Sequence, residues 1–81
     1  MKVHVVAWWF NSGGGFDWYF EEAAANVAFA KEQENEKDPV LAKEGWKAHR
    51  FTHETQLTDS DEITREIDEV LSEHEARAGR I

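Results

Sequence analysis

KVHVVAWWF-NSGGG-FDWYF, residues 2–20, reads as two strands around a turn and decides the fold class. Lys2 to Phe10 is dense in β-branched and aromatic residues, which favour a pleated, half-buried strand. Asn11 to Gly15 ends in three consecutive glycines, which tolerate positive φ and so predict a turn. Phe16 to Phe20 predicts the second strand of a hairpin. Neighbouring residues in a strand face opposite ways. Trp8 and Trp9 therefore cannot share a core, and neither can Trp18 and Tyr19. Either a helix covers each face of the hairpin or large aromatics face solvent.

The rest of the chain supplies two helices and one more strand. Glu21 to Lys37 opens with acids suited to a helix N-terminus and continues with alanines at 23, 24, 25, 28 and 30. Phe20, Ala24, Val27 and Ala28 share one side at helical spacing and are its expected docking face, with Phe29 pointing away. Asp38-Pro39 is a helix start and Gly45 a stop, so Pro39 to Glu44 is a short helix or the kinked end of the first. Trp46 to Thr55 alternates without a clean apolar face, which suits an edge strand. In the last segment Asp59 and Glu62 have capping-box spacing, and Ile63, Ile67, Val70, Leu71 and Ala78 form an apolar stripe ended by Gly79. His74 falls within that stripe, as a core or interface residue. The order β-β-α-β-α predicts an α+β domain with a three-stranded antiparallel sheet.

Eighty-one residues suit a single domain with a small core. No cysteine is present, so no disulfide staples that core, in keeping with a reducing compartment. The longest apolar run, Val5 to Phe10, is far too short to span a bilayer. The N-terminus lacks the pattern of a secretory signal. A cytoplasmic, unprocessed chain without membrane contact is the expectation.

The formal net charge is −8, which repels phosphate backbones and argues against direct nucleic-acid binding. Lys31, Lys37, Lys43, Lys47 and Arg50 are scattered singly rather than clustered. Asp59 to Glu75 holds eight carboxylates against one base, Arg65. At 100° per residue, Asp61, Glu62, Glu66, Asp68, Glu69, Glu73 and Glu75 cover the surface away from the stripe. Such a run is ordinarily a solvated face. Here Glu62 with Glu66, and Glu69 with Glu73, set like charges one turn apart, which destabilises a helix unless something compensates. A carboxylate rod suited to a basic groove is the functional reading. Trp9 and Trp18 are the candidate aromatic anchors, since Trp dominates interface hot spots.

Other chemistry is weaker. His4, His49 and His53 lie on strands, but His49 and His53 are four residues apart, about 13 Å along a strand and too far to share an ion. The glycine run matches no phosphate-binding motif. Ser12, Ser60 and Ser72 occupy a turn, a helix start and a helix surface, with no base in evidence. The carboxylates lack the apolar surroundings that would raise a pKa. Neither catalysis, a metal nor a cofactor is expected.

The MKVHVVAWW strand, the Gly-rich hairpin, the EEAAANVAFAKEQ helix and the DSDEITREIDEVLSEHEA helix together resemble the small acidic accessory proteins of bacteriophages and mobile elements, among them anti-CRISPR and anti-restriction inhibitors. The resemblance implies an inhibitor that occupies a basic, nucleic-acid-binding surface of a partner protein, in the cytoplasm of the host. A small homodimer with a structural or regulatory role, joined through the aromatic hairpin or an edge strand, is the alternative.

Overall fold

The computed structural model describes the backbone of residues 1–77 and the side chains of residues 1–73. The elements are β1 (Lys2–Phe10), β2 (Gly13–Tyr19), α1 (Glu22–Lys37), α2 (Pro39–Lys43), β3 (Lys47–Glu54) and α3 (Ser60–Arg77). The strands form an antiparallel sheet in the order β2-β1-β3, so the fold is α+β and β3 lies at an edge, as its mixed faces require.

The hairpin is tighter than its glycines suggest. Phe10 sits opposite Gly13, leaving Asn11 and Ser12 as the whole turn. None of Gly13, Gly14 and Gly15 has positive φ. They are strand residues that let aromatics approach. A Cβ on Gly15 would lie 2.9 Å from the Trp8 indole, and one on Gly14 would lie 2.5 Å from the Trp8 carbonyl oxygen. The register sets Gly15, Gly14 and Gly13 against Trp8, Trp9 and Phe10, so each large side chain of β1 faces an empty position on β2.

The pleat of β1 divides the molecule. Val3, Val5 and Ala7 point to one face and are fully buried against Ile63, Ile67 and Leu71 of α3. Trp9, Phe16, Trp18, Phe51 and Leu57 close the rim of this core. The predicted stripe is thus the core face of α3, with Val70 half-buried beside it; Ala78 and Gly79 lie outside the described residues. Asp59 caps α3, its carboxylate accepting from the amides of Asp61 at 2.9 Å and Glu62 at 3.1 Å.

Helix α1 covers the opposite face, rotated from the expected orientation. Ala25 is fully buried, and Ala28, Phe29 and Glu32 follow it at helical spacing, each half-buried. Of the expected face only Ala28 is retained: Ala24 is exposed, and Phe20 and Val27 are 55% and 71% exposed. Phe29, expected to point away, lies on the docked side. The correction is one residue, about 100° of rotation. Alanines on all sides make the helix nearly isotropic, so the sheet and not the helix sets the rotation. One tie is the Arg50 guanidinium, which bonds Glu22 at 3.4 Å.

The short helix α2 is capped as its sequence demands. Asp38 accepts from the Val40 and Leu41 amides, and Gly45, with φ of 78°, ends it. The Gly45 amide bonds Ala42 and the Trp46 amide bonds Leu41, a Schellman closure. Asn11 then donates its amide to the Glu44 carbonyl at 2.8 Å, fastening the hairpin turn to this helix end.

Candidate functional site

Helix α3 is held to the sheet by three kinds of contact, and these determine which carboxylates remain free. Ile63, Ile67 and Leu71 anchor its centre. On the β2 side, Trp18 Nε1 donates to Thr64 Oγ1 at 2.9 Å. On the β3 side, His53 Nε2 lies 2.6 Å from Glu66 Oε1. Glu66 is therefore no part of the outward acidic face, a correction to the helical projection. Its hydrogen bond to His53, then one from the Thr55 hydroxyl, hold its carboxyl below the usual carboxylate range. Glu66 lies about 100° from the centre of the stripe, close enough to the sheet for a glutamate to reach back.

Asp61, Glu62, Asp68, Glu69 and Glu73 are exposed, and among the described residues no ion pair neutralises any of them. They span three turns of one helix, and Asp68 also borders the hairpin tip. Glu75 was read as part of the same face; its side chain and that of His74 lie outside the described residues.

The aromatics serve the fold more than a surface. Trp8 and Trp9 are both half-buried, on opposite faces, and so are Trp18 and Tyr19. A helix lies on each face, the first of the two alternatives that the alternating aromatics leave open. Trp9 packs on the rim of the core and lies 6.1 Å, centroid to centroid, from His49. Trp18 meets Phe20 edge-on at 5.0 Å. Phe20 is the aromatic left exposed, and sequence reasoning missed it by assigning it to the docking face of α1. The usable signal was its place between the end of β2 at Tyr19 and the α1 N-cap at Glu21, outside both elements.

A cleft of about 620 Å³ lies at the hairpin tip, walled by Trp8, Trp9, Phe16, the Gly14 backbone, Leu71 and Asp68. Its walls are mainly ring and backbone, with Asn11, the Asp68 carboxylate and the Ser72 hydroxyl as its polar side chains. His4 faces the α1 side of the sheet, while His49 and His53 face α3, as their register shows. Among the described residues no group of three histidines or acids is placed to hold a metal ion. None of the described helices is long and apolar enough to cross a membrane.

Fold and surface together define an acidic α+β domain with a helix on each face of a small sheet and unpaired carboxylates along one of those helices. Comparison with known proteins found no matching family model, no matching curated protein and no matching solved structure.

Proposed function

We propose that the chain is a protein-binding module whose α3 face docks on a basic surface of a partner. A groove that ordinarily holds nucleic acid presents such a surface, and occupying it would inhibit the partner, as the phage-protein resemblance implies. The carrying observation is the contrast along α3. Glu66, turned to the sheet, is hydrogen-bonded by His53, while Asp61, Glu62, Asp68, Glu69 and Glu73 have no side-chain partner among the described residues. The capped helix with its buried stripe keeps these charges in fixed positions over the outer surface of α3, and a fixed pattern of charge gives orientation and association rate more than raw affinity.

Two variants of equal charge separate a site from bulk acidity. One reverses Asp68, Glu69 and Glu73 to Lys; the other reverses Glu21, Glu34 and Glu44, which are exposed elsewhere. Affinity capture from cytoplasmic extract is compared for wild type and both variants at low and high salt. A partner retained by wild type and by the second variant, released by salt and lost by the first variant, supports the reading. Equal retention by both variants rules out α3 as the contact.

A further inference from the structure

The two edges of the sheet are not alike. β3 carries Lys47, Arg50 and Glu54, charges of the kind that blunt an edge against strand pairing. β2 has one charge, Asp17, no proline, and an unbroken register with β1 over seven residues. Among the described residues, no backbone hydrogen bond from a turn, loop or cap falls on residues 13–19. A two-residue turn closes on a hydrogen-bonded pair, here Phe10 with Gly13. Alternation then turns the backbone N–H and C=O of Gly14, Phe16 and Trp18 outward from the edge.

We propose that this edge pairs with a second copy of itself, two β2 strands running antiparallel about a two-fold axis to join two three-stranded sheets into one. The strand is self-complementary. A register centred on Phe16 matches outward groups with outward groups and pairs all seven residues: Gly13 with Tyr19, Gly14 with Trp18, Gly15 with Asp17, and Phe16 with its own copy. Each glycine then faces a larger side chain, which repeats the match already made between β1 and the glycines of β2. The lone charge, Asp17, meets Gly15; a register centred on Asp17 would set two carboxylates face to face. On the opposite edge a register centred on Arg50 would set two guanidinium groups face to face. The axis stands perpendicular to the sheet, so both α3 helices lie on one face of the dimer. Each protomer carries −8, so added salt tightens this association by screening, the reverse of its effect on a basic partner.

The test uses the chain alone, so its outcome is independent of the α3 reading. Sedimentation gives the stoichiometry at low and high salt, and amide exchange by NMR gives the surface used. The expected result is a reversible dimer, tighter in salt, in which protection of the Gly14, Phe16 and Trp18 amides rises with protein concentration. Amides facing out of β3, such as Arg50 and Thr52, stay unchanged. N-methylation of Phe16 by chemical synthesis should weaken the dimer at least roughly tenfold, since each copy loses an outward donor, while N-methylation of Thr52 does not. A monomer at every concentration up to about 1 mM overturns the proposal. So does an open-ended assembly, or a dimer whose protection appears at β3 or at neither edge.

Discussion

The two faces of the sheet are closed by helices that dock in different ways. On the α3 face, branched aliphatic side chains from both partners are fully buried, and the rim adds a Trp–Thr hydrogen bond and a His–Glu pair. On the α1 face the fully buried side chains are Val6 and Ala25, with Arg50 tied to exposed Glu22 at the rim. Large apolar volume holds α3, whereas close approach of small residues holds α1. The sheet therefore holds the acidic helix through interlocked side-chain volume and the other helix through close packing of small residues, and the proposed surface rides on the first of these contacts.

That difference predicts unequal responses to mutation. Ile67→Asp buries a charge with no partner and should abolish folding, visible as loss of the far-ultraviolet dichroism. Ile67→Ala should cost about 2–5 kcal/mol in urea denaturation, as expected for a fully buried aliphatic residue. A folded Ile67→Asp domain would show that α3 is not part of the core.

The α1 face should respond to added volume instead. Ala25→Leu overfills a closely packed contact and should cost about 1–3 kcal/mol. Ala24→Leu, one residue away on the exposed side, should change stability by no more than about 0.5 kcal/mol. The reverse order would restore the helix rotation expected from sequence.

The contrast also explains what the sequence made legible. Ile63, Ile67 and Leu71 are strong apolar residues at helical spacing among acids, so the core face of α3 could be read directly. Asp59, Asp38 and Gly45 were equally legible, because capping depends on a few local atoms. The rotation of α1 was not legible, since five alanines spread around a helix carry little directional information. The glycines of β2 were misread as a turn because φ > 0 and close approach both select Gly. In the candidate site, five of the acids named as outward are outward. Glu66 was misassigned because a helical projection shows angle but not reach, and His53 lies on a strand that only the tertiary fold brings near.

Glu66 links stability to pH. Its carboxyl is held below the usual range by His53 and Thr55, so the native state releases this proton at lower pH than the unfolded chain. The resulting stabilisation is present above the unfolded value, about pH 4.3, and is lost as pH falls through the native one. Urea midpoints of wild type and Glu66→Gln should therefore differ at pH 7 and converge as the pH falls through the native value. A difference independent of pH would mean that the contact acts through shape and not charge.

The smallest effect on stability belongs to the charges proposed to carry function. Asp68, Glu69 and Glu73 are exposed, and their side chains make no hydrogen bond or ion pair among the described residues. Glu69 and Glu73 stand one turn apart on the same helix, a like-charge spacing that costs a helix about 0.2–0.5 kcal/mol. Reversing all three to Lys replaces that repulsion with another between two of the introduced lysines. It also sets new positive charge one turn from Glu66, which attracts it, and one turn from Arg65, which repels it. Because gain and loss nearly cancel, thermal unfolding should show wild-type stability within about 0.5 kcal/mol. The same variant is expected to lose the basic partner. A large stability change would instead mean that these side chains make contacts within the fold. A change in both properties would tie binding to folding and remove the acidic face as a separate surface.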